Sequence, residues 1–122
     1  MWELVKSFRF EAAHTLGGTS LGPVSEEIHG HSFRAEVVVR GKPDERTGMI
    51  VDLGLFEQRL GEVQRMLDHK FLNRIEALGT PTLENLARFI YECVRDIGPV
   101  SRVTVYRDSR DEACSYLPPG AS

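Results

Sequence analysis

Two runs of alternating apolar and polar residues constrain the fold of this chain more than any other feature. In the first run the apolar positions share one parity, interrupted only at Lys6: Trp2, Leu4, Phe8, Phe10 and Ala12. The second run repeats the pattern at Phe33, Ala35, Val37 and Val39. Because successive side chains of a strand point to opposite faces, each run predicts a half-buried β-strand. The glycine- and proline-containing segment 15–28 between them predicts a long loop, across which the two strands can pair as an antiparallel hairpin.

The middle of the chain has the periodicity of two amphipathic helices. The first follows Asp52, a candidate N-cap, and its apolar residues are three or four apart: Phe56, Leu60, Val63 and Leu67. The second follows Thr82, ends at Gly98 and Pro99, and has the apolar stripe Leu83, Leu86, Ile90, Cys93 and Ile97. Two strand-like segments, SRVTVYR and ACSYLP, complete the order ββααββ. This order predicts one α+β domain over residues 1–122, with an antiparallel sheet and both helices on one face.

The composition argues against several classes of protein. Of the 122 residues, 41% are hydrophobic and 27% are charged, which is typical of a soluble globular domain. No apolar run approaches the roughly 20 residues of a membrane helix and no signal peptide is recognisable, so we expect a cytoplasmic protein without a membrane partner. The net charge of −3, without a dense basic cluster, argues against nucleic-acid binding. In the cytoplasm the two cysteines, Cys93 and Cys114, are expected to stay reduced.

Three of the four histidines lie where the predicted hairpin would bring them together. His29 and His31 are two residues apart, so they point to the same side of a strand. His14 is in phase with Phe10 on the first strand, and the pairing would place it beside the other two. Three neutral imidazoles with a fourth position left open suit a catalytic Zn²⁺, which polarises a bound oxygen or lowers its pKa. The alternative is three separate polar histidines near a loop.

Two acidic positions near the helices are further candidates. Asp68 precedes His69 at the end of the first helix, and a carboxylate that orients an imidazole makes a general base with a pKa near neutrality. The same pair is also common as a charge pair at a helix end. Glu84 lies in the first turn of the second helix, where its negative charge interacts favourably with the helix dipole. A role in ligand binding is the alternative.

Five motifs follow one another along the chain: FEAAH, HGHSF, TGMIVDL, LDHKFLN and PTLENLA. Over roughly residues 8 to 106 they resemble the 6-pyruvoyl-tetrahydropterin synthase family, which includes the 6-carboxytetrahydropterin synthases. The resemblance implies a tunnelling fold whose subunits assemble into barrels, typically a homo-hexamer of two trimers with active sites between subunits. It also implies that Zn²⁺ is bound by His14, His29 and His31, and that Asp68 and His69 form a proton relay.

The resemblance further implies a substrate and a reaction. The usual substrate of such enzymes is 7,8-dihydroneopterin triphosphate, whose side-chain hydroxyls are held by zinc so that the adjacent C–H becomes acidic. Triphosphate or a fragment of the side chain is then lost. The implied function is a zinc-dependent lyase that acts on a dihydropterin in queuosine or folate biosynthesis.

The first departure from the family pattern precedes His29. The family's thiol base normally lies four residues before that histidine, where this chain has Ser25, whose hydroxyl is a poor unassisted base. A subgroup that resembles dihydroneopterin aldolase in outcome has a glutamate three residues before the histidine, and Glu26 matches that spacing. Glu26 is therefore a candidate base for cleavage to 6-hydroxymethyl-dihydropterin. Alternatively, Glu26 and Glu27 are solvated loop charges.

The second departure follows the strand VTVY. The family usually has a Glu-Thr pair there, whose glutamate accepts hydrogen bonds from the pterin, whereas this chain has Arg107 and Asp108. Arginine has five donors and no acceptor. Asp108 could substitute only if the strand end shifts by one residue, and Glu112 is a further candidate. Two alternatives therefore stay open: a homologue that acts on another heterocycle, and a metal-binding protein of this fold that has lost turnover.

Overall fold

The computed structural model describes residues 1–17 and 27–120, which form a five-stranded sheet and two α-helices. The strands are β1 (Trp2–His14), β2 (His29–Gly41), β3 (Lys70–Phe71), β4 (Val100–Arg107) and β5 (Glu112–Tyr116). The helices are α1 (Leu53–Leu67) and α2 (Leu83–Val94). Short 3₁₀ turns lie at Leu72–Arg74, Glu76–Leu78, Arg95–Ile97 and Asp108–Arg110. The predicted α+β class, with ββααββ as the order of its longer elements, is confirmed, while the extent of the domain over residues 1–122 stays a prediction.

The sheet has the strand order β3-β1-β2-β4-β5. β1 and β2 pair antiparallel along their whole length, from Trp2 opposite Gly41 to His14 opposite His29. β4 and β5 continue the sheet in antiparallel fashion. The short β3 lies parallel to β1, beside Ala12 and Ala13, so the sheet is mixed rather than purely antiparallel as predicted. A strand of two residues is too short to produce a periodic pattern, which is why the sequence did not indicate it.

The hydrophobic core fills the space between one face of the sheet and the two helices. The apolar parity of β1 is buried from Phe8 onward, whereas Trp2, at the start of the strand, is 58% exposed. β2 contributes Phe33, Ala35, Val37 and Val39. α1 and α2 contribute Phe56, Leu60, Val63, Leu67, Leu86 and Ile90. Burial of these apolar side chains is the main favourable contribution to folding, and it fixes the histidine-bearing ends of β1 and β2 relative to α2.

Side-chain caps define the beginnings of both helices. The Asp52 carboxylate accepts a hydrogen bond from the Gly54 N–H at 2.9 Å, and the Thr82 hydroxyl accepts one from the Asn85 N–H at 3.1 Å. Both residues are the N-caps that the sequence predicted. Neither helix, nor any other helix in residues 1–17 and 27–120, is long and apolar enough to cross a membrane.

Candidate metal centre and its cavity

The pairing of β1 with β2 brings three imidazoles together on the core side of the sheet. His14 is opposite His29, and Ala12 is opposite His31. The ring centroids are 4.5 Å apart for His14 and His29, 5.0 Å for His14 and His31, and 4.8 Å for His29 and His31. One possible ligand atom from each ring lies within 4.8 Å of the other two. The structure thus juxtaposes the three histidines as their phasing predicted.

Hydrogen bonds behind the rings determine which nitrogen of each imidazole carries the proton. Nδ1 of His14 is 2.9 Å from the Pro81 carbonyl, and Nδ1 of His29 is 2.8 Å from the Glu27 carbonyl. A carbonyl only accepts, so each Nδ1 is the protonated donor and each neutral ring has a lone pair on Nε2. The Nη1 of Arg107, which only donates, is 3.3 Å from Nε2 of His31, so this nitrogen also has its lone pair.

The donor set of this cluster fits a metal ion. Nε2 of His14 and Nε2 of His29 are 2.9 Å apart, and each presents a lone pair to the other. Two lone pairs at this distance repel each other unless a cation or an extra proton lies between them. A backbone carbonyl behind the opposite ring nitrogen is the usual arrangement around metal-bound histidine. Three imidazole nitrogens are ligands that Zn²⁺ accepts readily, although the ion itself stays a prediction.

Burial favours the neutral, metal-binding form of His14 and His31. His14 is only 2% exposed, and desolvation by burial is the main cause that lowers its pKa, against a smaller opposing effect of the Pro81 carbonyl. Burial, followed by the nearby Arg107 guanidinium and the other two imidazoles, lowers the pKa of His31 to about 4. Because metal ligands must be deprotonated, competition from protons at these two rings is weak at neutral pH.

A cavity of about 620 Å³ adjoins His14 on the side of α2 and β5. Its walls include the predicted substrate-binding residues Glu84 and Arg107, together with Glu112 and Cys114. Glu84 is on this wall because it occupies the first turn of α2, directly after the Pro81 and Thr82 that border the same cavity. The volume is within the range of small-molecule sites in proteins.

Arg107 links a candidate metal ligand to the far wall of the cavity. It has the same parity in β4 as the buried Val103 and Val105, so its side chain lies on the core side of the sheet, where it is 17% exposed. One terminal nitrogen contacts His31 and the other donates to the Glu112 carboxylate. Bonds from Arg107 and then Arg110 hold the pKa of Glu112 below its usual value. The contact between Arg107 and His31 depends on strand register and has no signal in the sequence.

Asp108, the other predicted substrate-binding residue, is not among the residues that line this cavity. β4 continues in register through Arg107, which is opposite Glu112, so the shift of one residue does not occur. The Asp108 carboxylate instead accepts two hydrogen bonds from Arg34, at 2.9 Å and 3.1 Å, and these lower its pKa. The Arg34 guanidinium stacks 3.8 Å above the Tyr106 ring. Asp108 is therefore held on the face of the sheet opposite the histidines.

His69 borders a second groove, and Asp68 precedes it at the end of α1. The Asp68 carboxylate accepts a hydrogen bond from the Glu11 N–H at 2.9 Å, which fixes it at the end of α1. Nδ1 of His69 is 3.6 Å from the other Asp68 oxygen, and the imidazole is 81% exposed. His69 and His31 line the same groove of about 550 Å³. The predicted relay is thus placed near one metal-ligand candidate, while Ser25 and Glu26 lie outside the described residues.

Comparisons with known proteins agree with this architecture. The solved structure of 6-pyruvoyl tetrahydropterin synthase from Caenorhabditis elegans superposes with a TM-score of 0.81, at 22% identity, and covers 96% of this chain and 95% of that chain. This likeness confirms the predicted tunnelling fold of the subunit.

Sequence comparisons place the chain in a family. The 6-carboxy-5,6,7,8-tetrahydropterin synthase of Synechocystis sp. is 36% identical over 107 residues, which are 80% of this chain and 78% of that protein. The dihydroneopterin monophosphate aldolase of Pyrococcus furiosus is 37% identical over 86 residues, 70% of this chain and 68% of that protein. Residues 3–119 match the family described as 6-pyruvoyl tetrahydropterin synthase. The chain therefore belongs to the 6-pyruvoyl tetrahydropterin synthase family.

Proposed function

We propose that this protein is a zinc-dependent lyase that acts on a dihydropterin such as 7,8-dihydroneopterin triphosphate. The observation that supports this most strongly is the convergence of three Nε2 lone pairs, from His14, His29 and His31, beside a cavity of about 620 Å³. Family membership supports a pterin-processing lyase, since similar proteins are named as pterin synthases and as a dihydroneopterin monophosphate aldolase.

The protein's own groups prepare the centre for this chemistry. When bound, Zn²⁺ would supply a Lewis acid that polarises a substrate oxygen and makes the adjacent C–H more acidic. The carbonyls of Pro81 and Glu27 hold His14 and His29 in the tautomer that exposes Nε2. The burial of His14 keeps water away from one side of the centre, which strengthens electrostatic interactions there.

Proton transfer is assigned in this proposal to His69, oriented by Asp68. The imidazole of His69 borders the same groove as His31, and its exposure leaves it accessible to a neighbouring subunit. We further propose the assembly typical of the family, a homo-hexamer of two trimers with active sites between subunits. An exposed relay residue is consistent with a site that is completed at such an interface.

Glu26 is the proposed base if the reaction cleaves the side chain to 6-hydroxymethyl-dihydropterin. Its spacing before His29 supports this second reaction, as does the resemblance to the Pyrococcus furiosus aldolase. Glu26→Gln should then abolish turnover, because the amide cannot accept the proton. Glu27→Gln is the matched control, since only the backbone carbonyl of Glu27 holds His29. Full activity of Glu26→Gln would remove Glu26 as the base and shift attention to Ser25 and His69.

A homologue that acts on another heterocycle is a further candidate, supported by Arg107 at the position of the family's usual glutamate. If this is correct, Arg107→Glu should impair turnover of the native substrate and improve pterin binding. Unchanged pterin affinity in that variant would remove this candidate.

Mass spectrometry of reaction products tests the main proposal. Zinc-loaded and metal-free protein would each be incubated with 7,8-dihydroneopterin triphosphate. We expect a new pterin only with the zinc-loaded protein, and its mass distinguishes a carboxy- or pyruvoyl-type product from side-chain cleavage. Unchanged substrate in the presence of fully zinc-occupied protein would contradict the proposal and favour another ligand or a protein without turnover.

A further inference from the structure

The Arg107 guanidinium, which contacts the metal centre through Nη1, has more donors than it has partners. Nη1 contacts Nε2 of His31 at 3.3 Å, and Nη2 donates to Glu112. Nε is buried and has no hydrogen-bond partner within residues 1–17 and 27–120. With the side chain only 17% exposed, solvent has little access to satisfy these donors.

The hydrogen bond to His31 and a metal ion on His31 exclude each other. Nε2 of a neutral imidazole has one lone pair, which can be shared either with the Arg107 N–H or with a metal. When the ion binds, Nη1 therefore loses its acceptor, and Nε already lacks one. Unsatisfied donors on a largely buried cationic group are costly. Glu112 nevertheless keeps the guanidinium near the centre, where it also repels the positive ion.

We propose that Arg107 makes the open position of this metal centre a site for an oxyanion, a carboxylate or phosphate group of the ligand. One oxygen of that group would bind the metal while the group also accepts a hydrogen bond from Arg107. This inference rests on the metal site of the proposed function and deepens it by naming the class of substrate. An oxyanion supplies the acceptor that Nη1 of Arg107 loses, and its negative charge lies between the metal ion and the guanidinium. A neutral ligand supplies only the acceptor.

Replacement of Arg107 should change the affinity for the metal and the affinity for the anion in opposite directions. Arg107→Gln removes both the repulsion of the metal and the competing bond to His31, so metal affinity in anion-free buffer should rise. The same change removes the charged donor, so the affinity of the metal-loaded protein for an oxyanion should fall. A merely structural role for Arg107 predicts loss of both affinities or of neither.

Cobalt spectroscopy can measure both effects. The full-length protein would be loaded with Co²⁺, which reports changes in its ligands by visible absorption, and titrated separately with acetate and with inorganic phosphate. We expect the Kd of the preferred anion to rise about tenfold or more in Arg107→Gln, the size expected for one charge-assisted hydrogen bond. Arg9→Gln is the matched control, because it removes the same charge from a side chain that is 74% exposed and outside the cavity. The anion that binds more tightly to the wild type distinguishes a carboxylate ligand from a phosphate ligand.

Several results would overturn the inference. The first is equal anion affinity in Arg107→Gln and Arg9→Gln. The second is a Co²⁺-loaded wild type whose spectrum responds to neither anion. The third is metal-free protein that binds the anion as tightly as the Co²⁺-loaded protein does. If Co²⁺ does not bind, or binds equally to His31→Ala, the metal site of the proposed function fails as well. If circular dichroism shows that Arg107→Gln is unfolded, Arg107→Met takes its place, because it also removes the charge and the donors but keeps an unbranched, flexible side chain. Anion affinity of Arg107→Met equal to that of the wild type would then overturn the inference.

Discussion

Cys114 is the one residue of the described cavity wall with a thiol, and this chain lacks the thiol that the family pattern has at the position of Ser25. Burial and then the nearby Glu84 raise the pKa of the Cys114 thiol. Only the thiolate is an effective base or nucleophile, so a raised pKa makes Cys114 a poor replacement at neutral pH.

Cys114→Ala should therefore keep its turnover within about twofold of the wild type. The measurement is the initial rate of the zinc-loaded protein with the substrate that mass spectrometry identifies. Cys93→Ala, at a partly buried position of α2, controls for general effects of removing a cysteine. A loss of turnover confined to Cys114→Ala would show that this thiol takes part in the reaction.

The sequence predicted the side chains of the candidate centre better than their partners. The period of a strand fixes the face on which His14, His29 and His31 lie, so their parity sufficed to group them. The carbonyls of Pro81 and Glu27 belong to the backbone, which has no distinguishing signal in a sequence. The contact of Arg107 with His31 and the position of Asp108 follow from the register of β4, which the pattern left open by one residue.

At the scale of elements, a close contact joins the segment before α1 to the end of the turn after α2. A Cβ added to Gly98 would lie 2.5 Å from Cγ1 of Val51, so a larger residue requires the Val51 side chain or the segment that holds it to shift. Gly98→Ala should lower the free energy of unfolding by about 1–3 kcal/mol, the usual cost of overpacking.

Chemical denaturation of Gly98→Ala, Val51→Ala and the double variant measures this contact. In the double variant the added methyl group has space, so its free energy of unfolding should exceed the value expected from adding the two single effects. If Gly98→Ala is as stable as the wild type, the two segments separate easily. If the effects of the two single variants on the free energy of unfolding simply add in the double variant, Val51 is not the cause of the destabilisation.

Long elements were predictable from the sequence because each shows several periods of its pattern. The buried face of β1 from Phe8 onward, the stripe of α1 and the caps Asp52 and Thr82 all follow from local spacing. β3 was not predictable, since its two residues are ordered by pairing with Ala12 and Ala13 rather than by their own sequence. The hydrogen bond from the His69 N–H to the Glu11 carbonyl, at 2.6 Å, strengthens the same junction.

At the scale of the whole molecule, the sheet has strand edges that another chain could extend. Within the described part of the chain, β5 has only β4 as a neighbour, and β1 has β3 beside only two of its residues. Trp2 is 58% exposed and Leu117 is 66% exposed near these edges. Unpaired strand edges and exposed apolar side chains favour pairing with another copy.

Size-exclusion chromatography with light scattering tests the proposed assembly. Two trimers that form a closed, symmetric assembly contain six chains. Six chains of 13.7 kDa should give a particle of about 82 kDa. A particle of half that mass would indicate an isolated trimer. A mass of 13.7 kDa at micromolar concentration would contradict an assembly in which sites form between subunits.

Zinc content per chain is the most direct test of the central claim that His14, His29 and His31 form a metal centre. Wild type, His31→Ala and His69→Ala would be stripped with a chelator, reloaded, desalted and analysed by elemental mass spectrometry. We predict about one zinc per chain in the wild type and in His69→Ala, whose histidine is outside the cluster, and loss of most zinc in His31→Ala. Equal zinc content in wild type and His31→Ala would contradict the three-histidine centre.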